Sequence, residues 1–171
     1  MMSAMKFRHE IRYDASPDQV YAMLEEPHFR EQVCQAMHAV SYDVTIESGE
    51  EPTEEGMTVV VDQTQPAHGF PSVAKRFVGD HVRILQKETW HDPARAGLEV
   101  SIPGKPGHLH ADITLTESGD GTVETVSGEV NVHLPVVGGK LERLISDVLG
   151  QALATEEKVG RRWLAGDRTS G

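Results

Sequence analysis

From Leu141 to the end of the chain, apolar residues recur every three or four positions: Leu141, Leu144, Ile145, Val148, Leu149, Ala152, Val159 and Trp163. That spacing is the stripe of one long amphipathic helix, from about Lys140 to Leu164. A stripe of this length must be buried, and only a large apolar face elsewhere in the chain can bury it. Glu156 interrupts it between Ala152 and Val159.

Most of the preceding chain alternates with period two and supplies that face. Phe7, His9, Ile11 and Tyr13 share one side of a strand whose other side is Lys6, Arg8, Glu10 and Arg12. Further strands are read at Val40–Glu47, from Met57 through Val59 and Val61, at Val82–His91, at Leu98–Ile102, and at Leu109–Leu115. A last strand carries Val126, Val130, Val132 and Leu134 on one face. Ser118-Gly119-Asp120-Gly121 marks a hairpin before it. Between the first strand and the second, two short helices are expected. Ser16 caps the first, Pro17 suits its first turn and Gln19 completes a capping box. Pro27 closes that helix, and Phe29, Val33, Ala36 and Met37 give the stripe of the next, roughly His28 to Ala39. The order is one strand, two short helices, about six strands and one long helix. Short turns make consecutive strands antiparallel, and a sheet of that size curls around whatever covers it. The chain has 171 residues, enough for one domain, expected over residues 5–165 with a flexible polar tail at 166–171.

The formal net charge of -11 argues against nucleic acid and against stable membrane insertion or docking on an anionic bilayer. A single cysteine, Cys34, permits no internal disulfide and reads as a packing residue. Met1 to Met5 leads directly into Lys6 and Arg8 without the apolar core of a leader, and a cytoplasmic protein is expected.

This arrangement resembles the START-like (SRPBCC) superfamily, which includes lipid-transport domains, polyketide cyclases and proteins of the birch-pollen-allergen type. The opening strand, Ser16-Pro17-Asp18-Gln19-Val20-Tyr21 and the terminal helix carry the likeness, which runs from about Met5 to Leu164. Within that group the chain looks like an uncharacterised bacterial branch, a domain of unknown function. The resemblance implies an α+β helix-grip fold: a curved antiparallel sheet of about seven strands wrapped around the C-terminal helix. It also implies a cavity between sheet and helix that holds a small hydrophobic molecule, a lipid or polyketide-like compound. Some members catalyse cyclisation or hydrolysis there, and fold alone does not decide between carrier and enzyme. A protein–protein interaction module is a third reading.

Candidate ligand contacts follow from the inward phase of each element: His9, Ile11, Tyr42, Val59, Gln86, Glu88, Trp90, Ile113 and Val130 on strands, and Val148, Ala152 and Glu156 on the helix. Polar residues in that phase are the informative ones, because burying them costs free energy unless they are bonded. His9 and Glu88 are the candidates for acid–base chemistry. Each has a plainer alternative: His9 as a satisfied core histidine, Glu88 on the outer face beyond a bulge, and Glu156 in water past the sheet edge. Pro66–Gly79 breaks the strand pattern, with a short helical turn expected after Ser72. Its Phe70 and Phe77 are candidate lid residues, with Lys75 and Arg76 beside them. His108, His110 and Asp112 have ligand spacing, with His133 on the neighbouring strand, but they fall in the outward phase. No metal site and no cofactor is expected.

Overall fold

Alternation of side chains becomes alternation of burial along the first strand, β1 (Met5–Tyr13), where Phe7, Ile11 and Tyr13 are buried and the charged residues between them are exposed. The computed structural model describes residues 4–48, 56–67, 72–134 and 138–168. After β1 come helices α1 (Pro17–Leu24) and α2 (Pro27–Ala36), then strands β2 (Ser41–Ser48) and β3 (Met57–Pro66). The short helix α3 (Ser72–Val78) precedes strands β4 (His81–Asp92), β5 (Arg95–Ser101), β6 (His108–Ser118) and β7 (Gly121–Asn131), and α4 (Gly138–Leu164) ends the order.

The capping box at α1 is complete. Gln19 N–H donates to Ser16 Oγ at 3.2 Å, and Ser16 N–H donates to Gln19 Oε1 at 3.0 Å. Pro27 opens α2 at its first turn, where its missing N–H costs nothing. The chain leaves α2 through His38, which takes a left-handed conformation (φ 60°). The amide of Ala39 then reaches back to Cys34 O at 3.1 Å, and that of His38 to Gln35 O at 3.0 Å, which is a Schellman closure.

All seven strands form one antiparallel curved sheet in the order β1-β7-β6-β5-β4-β3-β2. The architecture is α+β and is that of a helix grip. The first and last strands lie side by side, so β1 and β2 become opposite edges and α1 and α2 carry the chain between them. Gly128 lets β7 follow this curvature: a Cβ there would run into His110 O and the Cα of Ala111 on β6.

Helix α4 lies along the inner face, packed on β1 and α2. Its C-terminal half is held by rings. Trp163 meets Phe29 edge-on at 5.8 Å, and the Arg168 guanidinium lies 4.8 Å from the centre of the Trp163 ring. Gly160 sits directly against the Tyr13 ring. At the other end Leu141 packs on Val132, and the buried Glu142 accepts the Val132 N–H through Oε2 at 3.1 Å. Between these two anchors, helix and sheet diverge.

Candidate functional site

The space between α4 and the sheet holds a cavity region with two unlike, adjoining parts. Its outer part has a cavity volume of about 80 Å³. Leu144, Ile145 and Val148 of α4 face Val82 and Ile84 of β4 and Val100 of β5 across it. The walls there are almost wholly aliphatic, with Gln63, Gln65 and Gln86 as the polar exceptions. Val78, at the end of α3, borders this outer part. The inner part adjoins it, and Met37, Gln63, Gln86, Leu149 and Ala152 line both. Its walls include Arg30, Cys34, Glu88, Glu124 and Glu156.

These polar residues come from four elements. Helix α2 turns Arg30 inward beside Phe29, and β4 brings Glu88 on the same face as Val82 and Trp90. Strand β7 brings Glu124 two residues before Val126, and α4 brings Glu156 at the break in its stripe. Arg30 and Glu88 form a buried bidentate pair. Arg30 Nη1 donates to Glu88 Oε2 at 2.6 Å and Nη2 to Oε1 at 3.0 Å, with both side chains about 5% exposed. Glu88 also accepts from Gln86 Nε2 at 2.7 Å and from Trp90 Nε1 at 2.9 Å. Arg30 Nε donates to Leu24 O at 3.0 Å. Two charges this deep are tolerated because each is both paired and hydrogen-bonded.

The pair sets the electrostatics of the cavity. Burial alone would raise the Glu88 carboxyl, but the Arg30 charge, with the donors of Arg30, Trp90 and Gln86, outweighs it and holds the group below the usual carboxylate range. Burial alone would lower Arg30, and Glu88 more than offsets that, so the guanidinium stays firmly charged. Glu124 has no such partner. Its Oε2 is fully buried with no hydrogen-bond partner among the described residues. Burial, then the charges of Glu156 and Glu88, push its carboxyl well above the ordinary value, against the weaker pull of Arg30. Glu156 is half-buried, and burial, resisted by Arg30 and aided by Glu88, raises it to about 7. Burial raises Tyr13 as well, with Glu156 and Glu124 adding to the effect, and its hydroxyl makes a long 3.5 Å contact to the Glu156 backbone carbonyl. Burial pushes the Cys34 thiol up to about 11, so it is no thiolate nucleophile near neutral pH.

The candidates read from the sequence fall into three groups. Gln86, Glu88, Ile113, Val148, Ala152 and Glu156 line the cavity. Ile11, Val59, Trp90 and Val130 belong to the packed core, where Trp90 also supports Glu88. His9 is half-buried and stacks on Phe7 at 6.5 Å, and Tyr42 is half-buried on β2 and meets Gln35 Nε2 at 2.7 Å. Phe70 and the side chain of Phe77 lie outside the described residues. Rings of His108 and His110 stand 4.8 Å apart, with His133 5.7 Å from His108; among the described residues no group of three or more His, Cys, Asp or Glu is placed to hold a metal.

Two charged residues of the inner end, Arg30 and Glu124, were not read from the sequence. Glu124 had a signal: it shares the inward phase of Val126 and Val130. Arg30 had none, since a charged residue on a short helix is ordinarily exposed.

A curved seven-stranded sheet gripping a long C-terminal helix, with a part-polar cavity between them, is the START-like class of fold. The chain belongs to the family described as protein of unknown function DUF2505, whose model matches residues 8–164. It is similar to uncharacterised proteins of Mycobacterium tuberculosis and Mycobacterium bovis, 26% identical over 162 residues, covering 89% of this chain and 92% of theirs. Among solved structures it resembles a Thermus thermophilus protein, with a TM-score of 0.64, 17% identity, and 96% of this chain and 100% of that one covered. A START superfamily protein from Mycobacterium smegmatis gives 0.57 at 14% identity, covering 95% and 99%. The di-domain ARO/CYC StfQ of the steffimycin biosynthetic pathway gives 0.62 at 12% identity, covering 95% of this chain and 52% of that one.

Proposed function

We propose that this protein binds a small, mostly apolar molecule between the sheet and α4, and carries it within the cytoplasm. One observation supports this above the others: an aliphatic outer cavity adjoins an inner end where a buried carboxyl oxygen has no partner among the described residues. An apolar wall contributes affinity through the hydrophobic effect, while a few fixed polar groups orient the ligand. The fold shared with START superfamily proteins is consistent with this role, and no described helix is long and apolar enough to cross a membrane. Val78 at the end of α3 lines the outer part, which supports a lid role for this helix.

A second reading, an acid–base enzyme, draws on Glu156. A carboxyl raised to about 7 can both give and take a proton near neutral pH. It also fits the likeness to an aromatase/cyclase-type structure.

One experiment addresses both. The neutral fluorophore N-phenyl-1-naphthylamine is titrated into the protein, and small molecules retained through purification are extracted, weighed by mass spectrometry and offered back. Saturable probe binding, abolished by Ala152→Trp and weakened by Val148→Phe, is the expected result. Probe binding that ignores both substitutions sinks the cavity reading. A retained compound recovered unchanged after incubation marks a carrier, and a mass change that Glu156→Gln prevents marks an enzyme.

A further inference from the structure

The chemistry of the inner end specifies the polar group of the ligand, granted that the cavity holds one. Three carboxyl groups, Glu88, Glu124 and Glu156, line it with one guanidinium, Arg30. Glu88 and Arg30 satisfy each other, and four donor contacts occupy both oxygens of Glu88. Arg30 is further tied to Leu24 O. The remaining capacity is therefore on the acceptor side, at Glu124 and Glu156. Glu124 lines this space and is only 3% exposed, and its buried Oε2 has no partner among the described residues.

We propose that the inner end of the cavity binds a basic amine on an apolar body, with Glu124 and Glu156 accepting hydrogen bonds from the ammonium group and the aliphatic outer part holding the rest.

An ammonium presents donors only, which suits carboxylate acceptors, and its positive charge offsets the burial that otherwise keeps Glu124 and Glu156 protonated. An anionic headgroup would meet the Glu88 carboxylate and a guanidinium already engaged in a bidentate pair, and like charges that close repel. Besides Arg30 and Glu88, the titratable groups facing the two glutamates are Tyr13 on β1 and Cys34 on α2, and both are held neutral near pH 7. The proton on Glu156 leaves when the amine arrives: R–NH3⁺ and the carboxylic acid become an R–NH3⁺···carboxylate pair with one proton released to solvent. Amine affinity therefore rises with pH until Glu156 is ionised in the free protein, at about 7.

The test uses decylamine, decanol and decanoate, each titrated calorimetrically below its micellar concentration, with the intact chain and with Glu124→Gln/Glu156→Gln. Decylamine should bind at least about tenfold more tightly than either chain-matched competitor, a ratio equivalent to ~1.4 kcal/mol. The double variant should bind decylamine no better than it binds decanol. At pH 6, buffers of different ionisation enthalpy should report proton release with decylamine and none with decanol. Decanoate binding as tightly as decylamine overturns the inference, as does an amine preference that survives the double substitution. Decanol binding without any amine preference removes the amine inference and leaves the cavity reading standing, whereas no binding by any of the three removes both.

Discussion

Glu88 and Arg30 are the residues on which the interior depends most. Each is tolerable only because of the other: a carboxylate with four donors faces a guanidinium with three of its N–H groups engaged. Removing one member of a buried pair strands the other, and the cost is about 3–5 kcal/mol. Arg30→Met should therefore lower the urea midpoint sharply with an unchanged slope. Glu88 would then lose its counter-ion and take up a proton on folding, so the variant should regain part of its stability at low pH. Replacing both members together, as Arg30→Met/Glu88→Leu, should cost less than Arg30→Met alone. A double variant that is as unstable as the sum of the two singles would mean that the pair is not what holds these side chains.

At the scale of elements, α4 contains two interior glycines that should respond oppositely to the same change. Gly150 has nothing within 4 Å of where a Cβ would stand. Gly150→Ala should stabilise the helix by about 0.5–1 kcal/mol, the ordinary gain from removing backbone freedom. A Cβ on Gly160 would lie 2.7 Å from Tyr13 Cε1 and 2.9 Å from its hydroxyl oxygen. Tyr13 is itself buried, so neither side can yield, and overpacking of this kind costs about 1–3 kcal/mol. Gly160→Ala should therefore destabilise the protein, and thermal melts of the two variants should move in opposite directions. The elements themselves were legible because their patterns are local. The stripe of α4, the alternation of β1 and the Ser16 cap each follow from neighbours along the chain. The packing of Gly160 on Tyr13 was not legible, because it joins residues far apart in sequence through a strand order that alternation does not specify. The same holds for the site. Glu88 and Glu156 were visible as polar breaks in apolar faces, but Arg30 becomes readable only once α2 is known to pack on α4 and β2, where the Arg30 side chain reaches Glu88 of β4.

For the whole molecule, the buried carboxyl groups pull stability in opposite directions as pH changes. Glu88 is held below its ordinary value, so its contribution is present above the unfolded pKa and is lost as pH falls through the folded one. Glu124 and Glu156 are raised, so the folded state binds more protons than the unfolded chain, and stability falls as pH rises. For Glu156 the window runs from its ordinary value of 4.5 to about 7. Across it the intact protein should lose stability on the order of 1 kcal/mol per pH unit, read from urea midpoints at matched ionic strength. Glu156→Gln should flatten the curve inside that window, and Glu124→Gln should remove the part of the decline that Glu124 contributes. Both variants should then be more stable than the parent at pH 8, because folding no longer strips water from a group that is ionised in the unfolded chain. Stability that rises between pH 5 and pH 7 in the parent would show these carboxyl groups to be solvated, and the inner end of the cavity would lose the buried, unpartnered acceptor from which its ligand was inferred.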